Sequence, residues 1–321
     1  MKGRLVTIGL KACNQRATIE AALKGALAQT YRPLEIIISD DGSTDGTIEV
    51  IREGVRDLGD EILVVVNRNE RNLGNMGNWL KICELAHGEW IVKCDGDDVS
   101  EPTRVEKLMD AINAAEAPVF VASSGGVKID AEGRSIRRFK SRSAWHPLGA
   151  VMAFHRRTYT DFPRPTDLTN VDDEIFARRA LILGEGREVR VDEPLVRYRV
   201  GSGVSSSNDD IRATELKCMR MNPRSFAQIR EDLKSIGSPE TAKWEGIFAE
   251  QERLVEQGIV LRSAPKFSQR LKAWWRIPGK SLLRPYGIKL AIYLLPKRIG
   301  DWMLRVGAGK GRGMSEERVK G

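Results

Sequence analysis

The stretch that most constrains this chain is Glu35–Thr47, where the apolar run Ile36-Ile37-Ile38 breaks off into Ser39-Asp40-Asp41-Gly42-Ser43-Thr44-Asp45-Gly46-Thr47. A short run with no polar alternation is the signature of a strand buried on both faces of a parallel sheet. Asp-Gly followed by Ser-Thr-Asp-Gly is turn chemistry leading into a helix N-terminus. Asp40 and Asp41 are therefore expected at the carboxyl end of a strand, the edge outside which open α/β sheets bind ligands. The competing use of Asp41 or Asp45 is to cap the following helix.

A second stretch repeats the design. Trp90-Ile91-Val92-Lys93-Cys94 runs into Asp95-Gly96-Asp97-Asp98. Three carboxylates within four residues repel one another unless a cation sits among them. Hard oxygen ligands suit a divalent ion. The stretch lacks the ligand spacing and terminal Glu of an EF-hand loop.

Val6–Asn14, the run AALKGALAQTYRPLEIIISDDGSTDGT, and then NLGNMGN, AHGEW and KCDGDD resemble, in order and spacing, the family 2 glycosyltransferases of the GT-A fold. The resemblance covers roughly the first 200 residues. It implies a Rossmann-like nucleotide-binding sheet with an acceptor-side β-arm, a nucleotide-sugar donor, a divalent cation (Mn2+ or Mg2+) and inversion at the sugar carbon. On the family pattern Asp40 contacts the nucleotide base and Asp41 orients the donor. Lys11, Asn14, Asn72, Asn78, Asp95, Asp97 and Arg199 join them as donor-binding candidates, and Asp97 and Asp98 are the metal ligands. Trp145 is an acceptor-stacking candidate, with ordinary packing as the alternative. The catalytic base of the family lies in an acidic pair before a helix. Counting back from Gly184 puts it at Asp173, with Asp172 as its acidic, acceptor-side neighbour; Asp172 and Glu174 stay open as alternatives for the base. Acids in a first helical turn also favour the helix dipole by themselves. The chain departs from the family at Lys11 and Cys13, where Pro and Tyr or His are usual, and near Gly201, where His is usual.

Strand–helix alternation continues along the chain, which indicates parallel strands joined by right-handed crossovers. Thr18 is expected to cap a helix bearing Ile19, Ala22, Leu23, Ala26 and Leu27 on one face. A second helix should turn Ile48, Ile51, Val55 and Leu58 inward, before a buried strand at 62–66. Asn67–Gly77 reads as a loop before a short helix carrying Trp79, Leu80 and Cys83. A helix from Arg104 to Ala115 precedes a strand at Val119–Ser123. Val189–Val191 and Leu195–Val200 read as a β-arm. The expected domains are 1–205 for the GT-A unit (donor side about 1–100, acceptor side about 101–205), 206–263 for a linker and helical extension broken by Pro223 and Pro239, and 264–321 for a basic aromatic tail with a disordered end from Gly307.

Charge is unevenly placed. The chain carries a net +8, yet residues 264–321 hold 14 Lys or Arg against 3 Asp or Glu, so the remainder is mildly acidic. In this tail Phe267, Leu271, Trp274 and Trp275 interleave with Arg270, Lys272 and Arg276, a pattern suited to an anionic membrane interface. A helical subdomain with a basic outer face is the alternative. Four scattered cysteines (Cys13, Cys83, Cys94, Cys218) and three histidines (His87, His146, His155) give neither a disulfide framework nor zinc spacing. No signal peptide is visible at Met1–Arg4, and no stretch is long and apolar enough to span a bilayer. The expected setting is the cytoplasm, peripheral on the inner face of a membrane, with a glycan or lipid-linked acceptor. Oligomeric state is not legible. Two rival functions are weaker. A GT-A-like nucleotidyltransferase needs a Gly-rich basic loop where Lys11-Ala12-Cys13-Asn14 stands, and a nucleic-acid-binding protein explains the basic tail but not the strand-end acids.

Overall fold

The computed structural model describes residues 3–59, 62–145, 147–166, 171–201, 225–237 and 241–276. The sequence expectations at Cys218, His146, Pro223 and Pro239, the linker that begins at 206 and everything beyond Arg276 lie outside these residues. Two compact units are present, Met1–Ser202 with Lys234–Ile236, and Gly203–Leu233 with Gly237–Gly321.

The first unit is built on one nine-stranded sheet. Four parallel strands, β1 (Val6–Ala12), β2 (Leu34–Asp40), β3 (Leu63–Arg68) and β4 (Trp90–Asp95), lie in the order β3-β2-β1-β4. The sheet continues through β8 (Met152–His155), β6 (Val121–Ile129) and β9 (Val189–Arg199) to β5 (Val99–Ser100). Here β8 runs antiparallel to β4 and β6, and β9 is parallel to β6. β7 (Ser135–Phe139) pairs with β6 as a hairpin.

Helices cover both faces. Ile8, Leu10, Ile36, Ile38 and Val92 pack with Ile19 and Leu23 of α1 (Ile19–Leu27), Ile48 and Ile51 of α2 (Thr47–Gly54), and Val105 and Leu108 of α4 (Arg104–Asn113). The alternate strand residues face α3 (Gly74–Leu85) and α6 (Asp172–Leu183). Trp79 of α3 meets Phe176 of α6 and Phe154 of β8 edge-on, at 5.8 and 6.3 Å between centroids. A one-turn helix, α5 (Arg157–Thr160), adjoins α6. Burial on both faces is the reason the Ile36–Ile38 run of β2 shows no polar alternation.

Several local expectations are corrected. β3 is an edge strand and not a buried one, with Leu63 58% exposed. Leu58 lies beyond the end of α2 and is exposed. Thr18 does not cap α1 with its side chain; its hydroxyl donates to the Gly96 carbonyl at 2.9 Å and so ties α1 to the second acidic turn. α3 begins at Gly74, inside the supposed loop. β6 runs on to Ile129, β7 was not anticipated, and the two β-arm segments are one strand, β9, whose register shifts near Pro194. Proline has no N–H to give the ladder, so a shift there is its ordinary accommodation.

The second unit contains the greater part, to Leu233, of a helix over 225–236, α7, together with α8 (Thr241–Ser263) and α9 (Phe267–Arg276). Trp244 and Phe248, one turn apart on α8, stack at 5.7 Å. Among the described residues no helix is long and apolar enough to cross a membrane.

Candidate active site

Strand alternation assembles the site. Lys11 on β1 and Lys93 and Asp95 on β4 share the face covered by α3 and α6, and Lys11 is directly beside Asp95 in the parallel ladder. The N-terminus of α6 brings Asp172 and Asp173 onto them. Lys93 Nζ lies 2.6 Å from Asp172 Oδ2 and also pairs with Asp173 Oδ1. Lys11 Nζ bridges Asp172 and Asp95, each at 3.2 Å. Asn75 of α3 accepts from Lys11 and donates to Asp172 Oδ1 at 2.6 Å. The Gly149 amide donates to Asp173 Oδ2 at 2.8 Å. Any side chain at Gly149 would strike the Asp173 carboxylate and the Lys93 ammonium.

Lys93 and Asp172 are almost wholly buried. Burial alone would raise the Asp172 pKa, but Lys11 and Lys93 overcome it and hold this carboxylate well below its usual range. Asp173 goes the other way. Burial raises it, Lys93 opposes, Asp172 adds its repulsion, and the group is pushed up to about 6. One acid of the pair is thus a fixed anion and the other a proton acceptor poised near neutrality, the division of labour an acid–base site needs.

The second acidic turn lies at the end of β4. Asp98 is buried, its Oδ1 accepts the Arg199 amide at 2.7 Å, and its N–H closes the turn on the Asp95 carbonyl at 3.0 Å. Burial, then Asp97 and Asp95, push the Asp98 carboxyl well above its usual range. The Arg199 guanidinium donates to the carbonyls of Asp97, Asp130 and Ala131 at 3.1, 2.8 and 2.6 Å. Beneath the turn, buried Arg104 donates to the carbonyls of Lys93 and Ala150 at 3.1 and 2.9 Å. Among the described residues no three ligand-type side chains converge on a preformed metal cage. The donor set is nevertheless all hard oxygen, with one buried carboxylate held among like charges. That set fits Mg2+ or Mn2+, which bind through one or two carboxylates and share their shell with substrate phosphates.

Asp40 and Asp41 are not brought together. They point to opposite faces of the sheet. Asp40 is fully buried toward α2, accepting Ser43 N at 3.1 Å and the Ser43 hydroxyl, with Arg68 Nε at 3.7 Å. Asp41 turns toward α3 and accepts the amides of Leu73 and Gly74 at 2.8 and 2.9 Å and the Asn69 side chain at 2.9 Å. Asn14, with φ 50°, accepts Thr44 N. Asn72 accepts Gly74 N, and Asn78 donates to the Ser39 carbonyl. These side chains brace the turns that frame the cleft. Trp145 is half-buried, its amide 3.3 Å from Ser143 Oγ.

Residues 7–181 match the family model described as glycosyl transferase family 2. The chain belongs to this family. A cholesterol galactosyltransferase of Borreliella burgdorferi is 27% identical over 290 residues, 86% of this chain and 78% of that protein. A GalNAc(5)-diNAcBac-PP-undecaprenol beta-1,3-glucosyltransferase of Campylobacter jejuni is 32% identical over 129 residues, 40% of each chain. Several further relatives are matched over about half of their length or less. The mannosyltransferase PcManGT from Pyrobaculum calidifontis, solved with GDP-Man and Mn2+, superposes with a TM-score of 0.54 at 17% identity, over 95% of this chain and 79% of that one. The expected GT-A architecture is thereby met, and membership of a glycosyltransferase family favours sugar transfer over nucleotidyl transfer.

Within this glycosyltransferase, sequence reasoning missed Lys93, Asn75 and Gly149. Lys93 carried a signal: a lone charge inside an apolar strand, two residues before Asp95 and so on its face. Asn75 was visible only as one asparagine of NLGNMGN. Nothing in the sequence marked Gly149.

Proposed function

We propose that the protein transfers a sugar from a nucleotide-sugar donor to an acceptor hydroxyl with inversion, in the assembly of a cell-surface polysaccharide or glycolipid. The observation that carries this reading is the pair Asp172–Asp173 held by Lys93 and Lys11 at the carboxyl end of the parallel strands. The relatives support the substrate class, since two of them are named for sugar transfer to cholesterol and to a diphosphoundecaprenol-linked glycan.

Asp173 is the general base. Its Oδ2 is anchored by the Gly149 amide and its Oδ1 by Lys93. A remaining lone pair takes the proton of the acceptor hydroxyl as that oxygen attacks the anomeric carbon and the nucleoside diphosphate leaves. Asp172 stays ionised and keeps both lysines in register. Asp97 and Asp98 would hold a divalent cation, which would offset the charge on the leaving diphosphate. Arg199 fixes the turn that presents them. Lys11, Asn14, Asp40, Asp41, Asn72, Asn78 and Asp95 shape the donor side, Asp40 and Asp41 by holding its turns, and Trp145 lies on the acceptor side.

The basic C-terminal region is assigned to an anionic membrane surface, where a lipid-linked acceptor is presented. Phe267 and Trp275 of α9 are 54% and 63% exposed, alongside exposed Lys266, Lys272 and Arg276, which supports an interfacial helix.

A donor screen tests the activity. The full-length protein with Mn2+ or Mg2+ and each common nucleotide sugar should release nucleoside diphosphate with one of them. Release from none, with or without candidate acceptors, would overturn the reading. Undiminished turnover in EDTA would remove the metal from it.

A further inference from the structure

The β6–β7 hairpin carries charge that the site does not use. Residues 134–142, Arg-Ser-Ile-Arg-Arg-Phe-Lys-Ser-Arg, hold five cations and no acid. Two are compensated: Arg134 pairs with Asp130 and Glu132, and Lys140 with Asp192. Arg137 and Arg142 are exposed and, among the described residues, have no carboxylate partner. Lys128 lies directly opposite Arg137 in the antiparallel ladder and has no carboxylate partner among the described residues either. Like charges directly opposite one another on a sheet are destabilising. Burial, with Arg137 and Arg142 beside it, depresses the Lys128 ammonium below its usual range.

The same face carries rings. Lys128 is beside Tyr198 in the parallel β6–β9 ladder, and Phe139, two residues from Arg137, meets the Tyr198 ring edge-on at 6.3 Å. The next residue pair along, Ile129 and Arg199, leads into the acidic turn, because the Arg199 amide donates to Asp98. On the other side, the chain from Arg142 runs through Trp145 to Gly149, whose amide holds Asp173.

We propose that Lys128, Arg137 and Arg142, with Phe139 and Tyr198 beside them, bind a phosphate or diphosphate group carried by the acceptor. Three cations that repel one another are relieved by an anion with several oxygens, and guanidinium groups match phosphate geometry. The rings supply an apolar wall for the sugar or prenyl carbon next to that phosphate. The inference rests on the glycosyltransferase reading for the word acceptor, but the binding it describes is measured without turnover.

The test is isothermal titration of the full-length protein with geranyl diphosphate, in the presence of Mg2+ and saturating UDP and GDP so that the donor site is filled. Arg137→Gln and Arg142→Gln should each weaken binding about tenfold, the scale of one lost charge-assisted hydrogen bond. Arg138→Gln removes the same charge from the neighbouring residue, on the opposite side of the strand, and should stay within twofold. Melting temperatures should not fall, since each change relieves repulsion. A parallel arm measures co-sedimentation with vesicles of phosphatidylcholine and phosphatidylglycerol, which the Arg137 and Arg142 variants should leave unchanged. Equal losses at Arg137 and Arg138 would reduce the effect to a diffuse field and overturn the site. Unchanged geranyl diphosphate binding would do the same. A loss confined to vesicles would reassign the cations to bilayer headgroups and overturn the acceptor assignment. Nucleoside diphosphate release by the wild-type protein is scored separately, so a failed donor screen and a failed binding site are distinguishable.

Discussion

Asp173 and Lys93 decide most of what this site can do. Asp173→Asn keeps the volume and loses the base, so transfer should fall by at least two orders of magnitude while donor affinity, measured by nucleotide titration, stays within a few-fold. If Asp172→Asn is dead and Asp173→Asn is not, the roles are exchanged. The base works only when ionised, so the rate should drop on the acid side with a midpoint near the Asp173 value of about 6. Lys93→Met removes the cation that holds that value down. The acid limb should move to higher pH in whatever activity survives. Its removal also takes the cation from Asp173, which keeps only the Gly149 amide, and leaves Asp172 with Lys11 and Asn75; breaking a buried pair costs roughly 3–5 kcal/mol in comparable cases, so urea unfolding should report a clear loss. Stability itself should respond to pH in two opposed ways. Asp172, depressed in the folded state, contributes fully above about pH 4, the unfolded aspartate value, and loses that contribution in acid. Asp173, raised in the folded state, subtracts stability as it ionises between about pH 4 and its folded value of about 6.

At the scale of elements, the legible parts were those whose pattern is local. The Ile36–Ile38 run announced β2, and the Asp-Asp-Glu run before Ile175 announced α6, because burial on two faces and a helix N-terminus each leave a mark on consecutive residues. The missed parts were fixed by distant partners. α3 starts three residues before Gly77 although Gly and Asn are poor helix formers, because Asp41 accepts the Leu73 and Gly74 amides and Asn78 is strapped to β2. β7 is polar and Arg-rich and carries no strand alternation toward a core; it exists as the partner of β6. The same logic explains why Asp40 and Asp41 read as one donor-facing pair: their opposite orientations follow from which strand residue is last, a detail that apolar periodicity does not fix. A prediction follows for α3. Asp41→Ala deletes three hydrogen bonds at a buried helix start and should destabilise the first unit by about 2 kcal/mol or more, with amide exchange accelerated first around Leu73–Gly77. Unchanged exchange there would mean that Asp41 is not what holds the helix start.

For the whole molecule the open question is where the enzyme works, and the described part of the tail gives a specific handle on it. α9 exposes Phe267 and Trp275 in a segment whose Lys266, Lys272 and Arg276 are also exposed. Each basic residue near an anionic leaflet contributes on the order of 1 kcal/mol, and that part is screened by salt. Rings at headgroup depth add an apolar contribution that salt does not screen. Binding to phosphatidylglycerol vesicles should therefore weaken from low to high ionic strength without vanishing. The double variant Phe267→Ser, Trp275→Ser should remove the salt-resistant remainder and leave the salt-sensitive part in place. Donor hydrolysis, which depends on residues of the first unit alone, should be the same in the variant as in the parent. Transfer to an acceptor embedded in vesicles should fall with binding, whereas transfer to a soluble acceptor should not. A full-length protein that fails to sediment with anionic vesicles even at low salt would make α9 a packing helix of the second unit, and the enzyme would then have to meet its acceptor without help from the tail.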